Sequence, residues 1–181
     1  MAPNLKLYTI LSYLLIPIAL FFGFLDIIFL FSSLANPSAL ILVFILACLV
    51  IYTFASFRFL KGGIEKELPQ PLKLKDWIKV NAYVSFFLCS LFFINSISVL
   101  VSTNAVLMKF IDEFLEQQPT LPKEITHQLI LSLLRGVSIF LLFTSIIGLI
   151  HIRTSLRLVK QYERSEEHTS ELQSHSFISY A

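Results

Sequence analysis

Three polar residues stand inside stretches otherwise built for oil: Asp26, Asn95 and Arg135. A carboxylate, an amide and a guanidinium held at one level can form a structural ion pair, relay a proton or line a path for an ion. In hydrocarbon each is costly unless it finds a partner. Counting along the chain puts them at one level. Asp26 lies about 10 Å, at 1.5 Å per residue, before the end of its segment at Ser33, and Arg135 lies a similar distance beyond Leu129. Asn95 precedes Thr103 by eight residues, within a turn of the same level. Helical side chains tilt toward the N-terminus, so Arg135 can reach the headgroups while the shorter Asp26 needs a partner or a proton. Either Asp26 and Arg135 pair, with Asn95 in the same layer, or Arg135 reaches the headgroups and Asp26 is satisfied by hydroxyls or a proton. A pair is read as structural, fixing helix register, in preference to a transport or proton pathway.

Other chemistry is thinner. Glu124 and His127 have E-x-x-H spacing, but a di-metal bundle needs a second copy and more inward carboxylates. His127 and His151 are therefore expected as interfacial residues near the two ends of the last apolar segment, and Asp112, Glu113 and Glu116 as a solvated helix face. Cys48 and Cys89 fall in mid-segment and are expected as unpaired packing residues. No nucleophile elbow, zinc-protease motif, phosphate loop or dinucleotide fingerprint is present, nor a basic and aromatic patch suited to nucleic acid. The expectation is no catalytic, cofactor or metal residue, no cofactor, no nucleic-acid partner and no enzyme.

The elements that must position these residues are unusually apolar. Of 181 residues 56% are hydrophobic and 14% charged, and the mean hydropathy is +0.77, more grease than a soluble core of this size can hide. The expected fold class is all-α, an integral membrane four-helix bundle. Its helices cover about 7–33, 39–60, 77–103 and 124–152, the last with a cytoplasmic extension to 163. The first segment is too long for a signal-peptide core. It carries Pro17, and a face of Ser12, Ala19, Gly23 and Asp26 that should point inward. The second, polar only at Cys48, Thr53 and Ser56, is expected to face lipid more than any other and to stop at Gly62 and Gly63. The third is the most polar. Met108 to Glu116 reads as a helical extension, lying on the bilayer or capping the bundle. The fourth segment should start near Pro122 with Thr120 as its cap, and carries a stripe of small residues at Ser132, Gly136, Thr144 and Gly148.

Charge orients the threading. Lys6, the loop from Arg58 to Lys79 and the stretch after His151 are basic, whereas the third connection is acidic on balance. The positive-inside rule then places both termini in the cytoplasm. Trp77, Lys79, Arg153, Arg157 and Lys160 are the expected lipid-headgroup contacts.

Residues Arg164 to Ala181, RSEEHTSELQSHSFISYA, resemble the in-frame translation of a common short-read sequencing adapter. RSEEHTSELQS matches its first part and ISYA the part after its index, with His175, Ser176 and Phe177 bridging them. The resemblance implies a non-native tail, disordered or arbitrary in structure, on a native chain ending at or soon after Glu163. Setting aside Arg164, Glu166, Glu167 and Glu171 takes 14 basic and 12 acidic residues to 13 and 9, and the net charge from +2 to +4. The remainder resembles, in layout only, small uncharacterised four-helix proteins of the bacterial inner membrane. The expected function is that of a non-enzymatic accessory or scaffold subunit of the cytoplasmic membrane, acting through helix packing in the lipid bilayer, with a membrane protein partner or as a homo-oligomer. The alternative is a small transporter or channel subunit that uses the Asp26, Asn95 and Arg135 layer.

Overall fold

A run of apolar residues long enough to close many backbone hydrogen bonds within itself becomes helix wherever proline and glycine do not intervene. The computed structural model describes residues 3–117 and 127–178, with side chains over 5–117 and 127–165. Five α-helices make up most of these residues: α1 Pro3–Ser33, α2 Leu40–Phe59, α3 Leu72–Val101, α4 Asn104–Glu116 and α5 His127–Ile178. No strand occurs among the described residues. Four helical stretches, Leu5–Ser33, Pro37–Ile64, Leu72–Val101 and His127–Ser165, are long and apolar enough to cross a membrane.

The connections follow local chemistry. Asn36 caps a single 3₁₀ turn, Pro37–Ala39, by accepting the Ser38 amide at 3.2 Å, with Pro37 at the first position of the turn. The expected stop at Gly62 and Gly63 is a wide π turn, Leu60–Ile64, closed by Glu65 N–H donating to Leu60 O at 2.9 Å. The two glycines let the Gln70 side chain approach, since a methyl on Gly62 would stand 2.8 Å from its amide nitrogen. α3 starts at Leu72, five residues earlier than expected, directly after Pro71. α1 runs unbroken through Pro17. Pro119, Thr120, Pro122 and Glu124, on which the expected start of the last helix and its E-x-x-H spacing depend, lie outside the described residues. The helix continues through the adapter-like stretch to Ile178.

The chain divides into two compact units, one of residues 1–86 with 150–181 and the other of 87–149. In the first, α1 packs along α2. A Cβ on Gly23 would meet Val50 at 3.7 Å, and Tyr13 meets Phe57 edge-on at 5.3 Å. Ser12 and Ala19 are buried, as their small-residue face requires. Around Tyr162, α5 is tied to the turn before α3 and to α3 itself. Tyr162 donates its hydroxyl to Leu68 O at 2.6 Å and meets Phe59 edge-on at 5.3 Å. Lys75, almost fully buried, holds its ammonium 5.2 Å from the Tyr162 ring centre, and Lys79 pairs with Glu163 at 2.6 Å.

In the second unit the amphipathic α4 turns Leu107 and Ile111 onto Leu131 of α5, with Leu115, Ile130 and Leu134 around them. Asp112 and His127 approach to 2.9 Å. The stripe of small residues divides: Thr144 and Gly148 are buried, whereas Ser132 and Gly136 are exposed. A methyl on Gly148 would stand 2.7 Å from Cys89 Sγ, and one on Gly136 would meet nothing within 4 Å.

α2 departs from expectation. Some 44% of its most apolar window is buried, against 17–22% for the other three spans, so it is the most enclosed of the four and not the most exposed. Apolar side chains suit lipid and protein equally, and its hydroxyl-bearing face, Tyr52, Thr53 and Ser56, is the face that is covered.

Candidate functional site

Each of three helices places two polar side chains one turn apart on a single face: Tyr8 and Ser12 on α1, Tyr52 and Ser56 on α2, His151 and Ser155 on α5. All six are buried and belong to the first unit. Spacing of four residues stacks the members of each pair, so the three faces meet as two polar tiers.

His151 is the centre. Its Nε2 lies 2.9 Å from Ser12 Oγ and its Nδ1 2.7 Å from Tyr52 Oη. Ser12 donates its single proton to Tyr8 O at 2.8 Å, so its oxygen accepts from Nε2–H, and in the neutral ring Nδ1 accepts from the Tyr52 hydroxyl. One direction of donation thus runs Tyr52, His151, Ser12, Tyr8 carbonyl, with both ring nitrogens satisfied. Tyr8 donates to Ser56 O at 3.1 Å and lies 3.5 Å from Ser155 Oγ. The Tyr8 ring stacks on the imidazole with centroids 4.8 Å apart and planes 15° apart, and Tyr52 meets it edge-on at 5.6 Å. A buried polar group without a partner costs about 1–3 kcal/mol, and here a few hydroxyls and one imidazole satisfy one another across three helices.

The expectation of His151 as an interfacial residue did not include this cluster. The ring is fully buried, because Ser12 and Tyr52 supply in the interior the hydrogen bonds that water would supply at a surface. Tyr52 and Tyr8 carry a signal that hydropathy hides: an aromatic ring that counts as apolar and a hydroxyl that needs a partner. Three i, i+4 pairs of hydroxyl or imidazole groups, at the start of the first apolar run and at the ends of the second and fourth, are the pattern that reveals the site.

Asp26, half-buried on α1, belongs to the first unit, and its Oδ1 is buried without a hydrogen bond. Asn95 and Arg135 belong to the second. The exposed Asn95 turns its amide back to Leu91 O at 2.9 Å. Arg135 donates from Nη2 to Asn104 Oδ1, at the first residue of α4, at 2.7 Å, while its Nε is buried without a partner. Asn104 thus answers part of what Arg135 needs. Among the headgroup candidates, Trp77, Arg153, Arg157 and Lys160 are exposed, and Lys79 is held by Glu163. Cys48 and Cys89 are buried free thiols, and no group of three or more potential metal ligands occurs among the described residues. No family model matches the chain, and no curated protein or solved structure matches it.

Proposed function

We propose that this chain is an integral protein of the cytoplasmic membrane, threaded four times with both ends in the cytoplasm, and that it works as a non-enzymatic scaffold or accessory subunit through helix packing. Membrane residence is supported by side chains as apolar as Phe31, Ile41 and Phe143, each more than 60% exposed and spread over three of the candidate spans. Water does not tolerate such surface on this scale. The scaffold reading is carried by His151, whose two ring nitrogens are both engaged by hydroxyls of other helices in a fully buried setting. Such a group ties helices together, whereas a catalytic base needs a nitrogen directed at substrate. Arg153, Arg157 and Lys160 would meet anionic headgroups on the cytoplasmic side.

The purified chain, reconstituted in liposomes, should pass neither protons nor small ions above the rate of empty liposomes. On blue native gels of gently solubilised membranes it should migrate with a second copy or with another membrane protein. A flux that Asp26→Asn abolishes would overturn the scaffold reading. The transporter reading is favoured by one specific observation, the unpartnered buried atoms Asp26 Oδ1 and Arg135 Nε. On that reading Arg135→Gln abolishes the flux as Asp26→Asn does.

A further inference from the structure

The cations around the turn between α2 and α3 are of two kinds. Lys61 pairs with Glu65 at 2.8 Å, Lys79 pairs with Glu163 at 2.6 Å, and Lys75 is buried over Tyr162. Arg58, Lys66 and Lys73 are exposed and make no hydrogen bond or ion pair with a described residue, and Lys66 stands apart from the other two. Arg58 and Lys73 both line one open pocket of about 260 Å³, together with Pro71, Leu74 and Trp77. That volume lies below the roughly 300–1,000 Å³ of clefts that enclose drug-sized ligands. It suits a small anion or a headgroup.

The apolar part of the lining separates these two. A free anion gains nothing from Pro71, Leu74 and an indole that is 58% exposed. An amphiphile places its phosphodiester between the two cations and its glycerol and first methylenes against that wall. The pocket also lies where two candidate spans end and begin, at Ile64 and Leu72, and at such levels tryptophan rings sit among headgroups. We infer that Arg58, Lys73 and Trp77 form a binding site for the phosphate headgroup of an anionic phospholipid. The inference rests on the membrane reading above and adds to it a specific lipid class at a specific place.

Trp77 is the chain's single tryptophan, so its fluorescence reports on this pocket. The full chain is reconstituted into phosphatidylcholine vesicles that contain a minor fraction of brominated phosphatidylglycerol or, in parallel, the same fraction of brominated phosphatidylcholine. The anionic quencher should be preferred by about fivefold for each cation engaged. R58Q with K73Q should remove the preference, and R153Q with R157Q should keep it. Glycerol phosphate in the buffer should leave it intact. Equal quenching of the unaltered chain by the two lipids overturns the site while leaving membrane residence standing, and this comparison needs no variant to fold. A preference that glycerol phosphate abolishes assigns the pocket to a soluble anion instead, and a preference that survives R58Q with K73Q places the lipid elsewhere; either overturns the proposal. No quenching by either lipid removes Trp77 from the bilayer interface and overturns the membrane reading as well.

Discussion

At His151 two hydroxyls and one stacked ring converge on a single imidazole, and the size of the effect can be bounded. Hydrogen bonds between membrane helices average about 0.6 kcal/mol, and a well-placed ring pair adds about 0.5–1.5 kcal/mol. His151→Phe keeps a ring for Tyr8 but leaves Ser12 and Tyr52 without their partner, so it should destabilise by about 1–2 kcal/mol. His151→Leu, which loses the stack too, should cost about 2–3 kcal/mol. Reversible unfolding in mixed detergent micelles measures both. Tyr52→Phe added to His151→Phe should cost less than the sum of the two single changes by at least about 0.5 kcal/mol, because the bond can be lost only once. Strict additivity would mean that Tyr52 and His151 are neighbours without being partners. Arg135 teaches a related point at the same scale. Its need for a partner is evident from the sequence, but the Asn104 that answers it stands at the start of a separate helix, which no count of depth along the spans brings to it.

Among the elements, the four long apolar helices were legible because about 20 apolar residues with at most one charge admit few structures. α4 was legible from Met108 to Glu116, since Phe110, Ile111, Phe114 and Leu115 recur at helical spacing among charges, whereas its first turn from Asn104 was not. What hydropathy cannot show is which apolar face meets protein, and α2 is the instance: featureless by composition, it is the most enclosed span. The small-residue stripe of α5 shows the same limit, with two positions at the same fourfold spacing and opposite surroundings. Gly148→Ala should destabilise by about 1–3 kcal/mol through overpacking against Cys89 Sγ, with Cys89→Ala restoring most of the loss. Gly136→Ala meets open space and should be neutral or stabilising, by up to about 1 kcal/mol from helix propensity. Equal effects at the two glycines would mean that the close approach at Gly148 is not where α3 and α5 bear on each other in the second unit.

Over the whole molecule, Tyr162 and Glu163 tie α5 to Leu68, Phe59, Lys75 and Lys79. Because these ties lie before the adapter-like stretch, deleting residues 164–181 should leave the free energy of unfolding in detergent within about 0.5 kcal/mol of that of the full chain, whereas cutting before Tyr162 should lower it. A large loss on removing the adapter-like stretch alone would make that stretch part of the fold. Everything else depends on the threading. On a Cys48→Ala, Cys89→Ala background, Glu113→Cys, Lys66→Cys and Arg157→Cys are each treated in intact cells with a maleimide that cannot cross membranes. Labelling of Glu113→Cys alone, with Lys66→Cys and Arg157→Cys reacting only after the cells are opened, is the predicted result. Labelling of Lys66→Cys or Arg157→Cys from outside, or equal labelling of all three before and after opening, would contradict it.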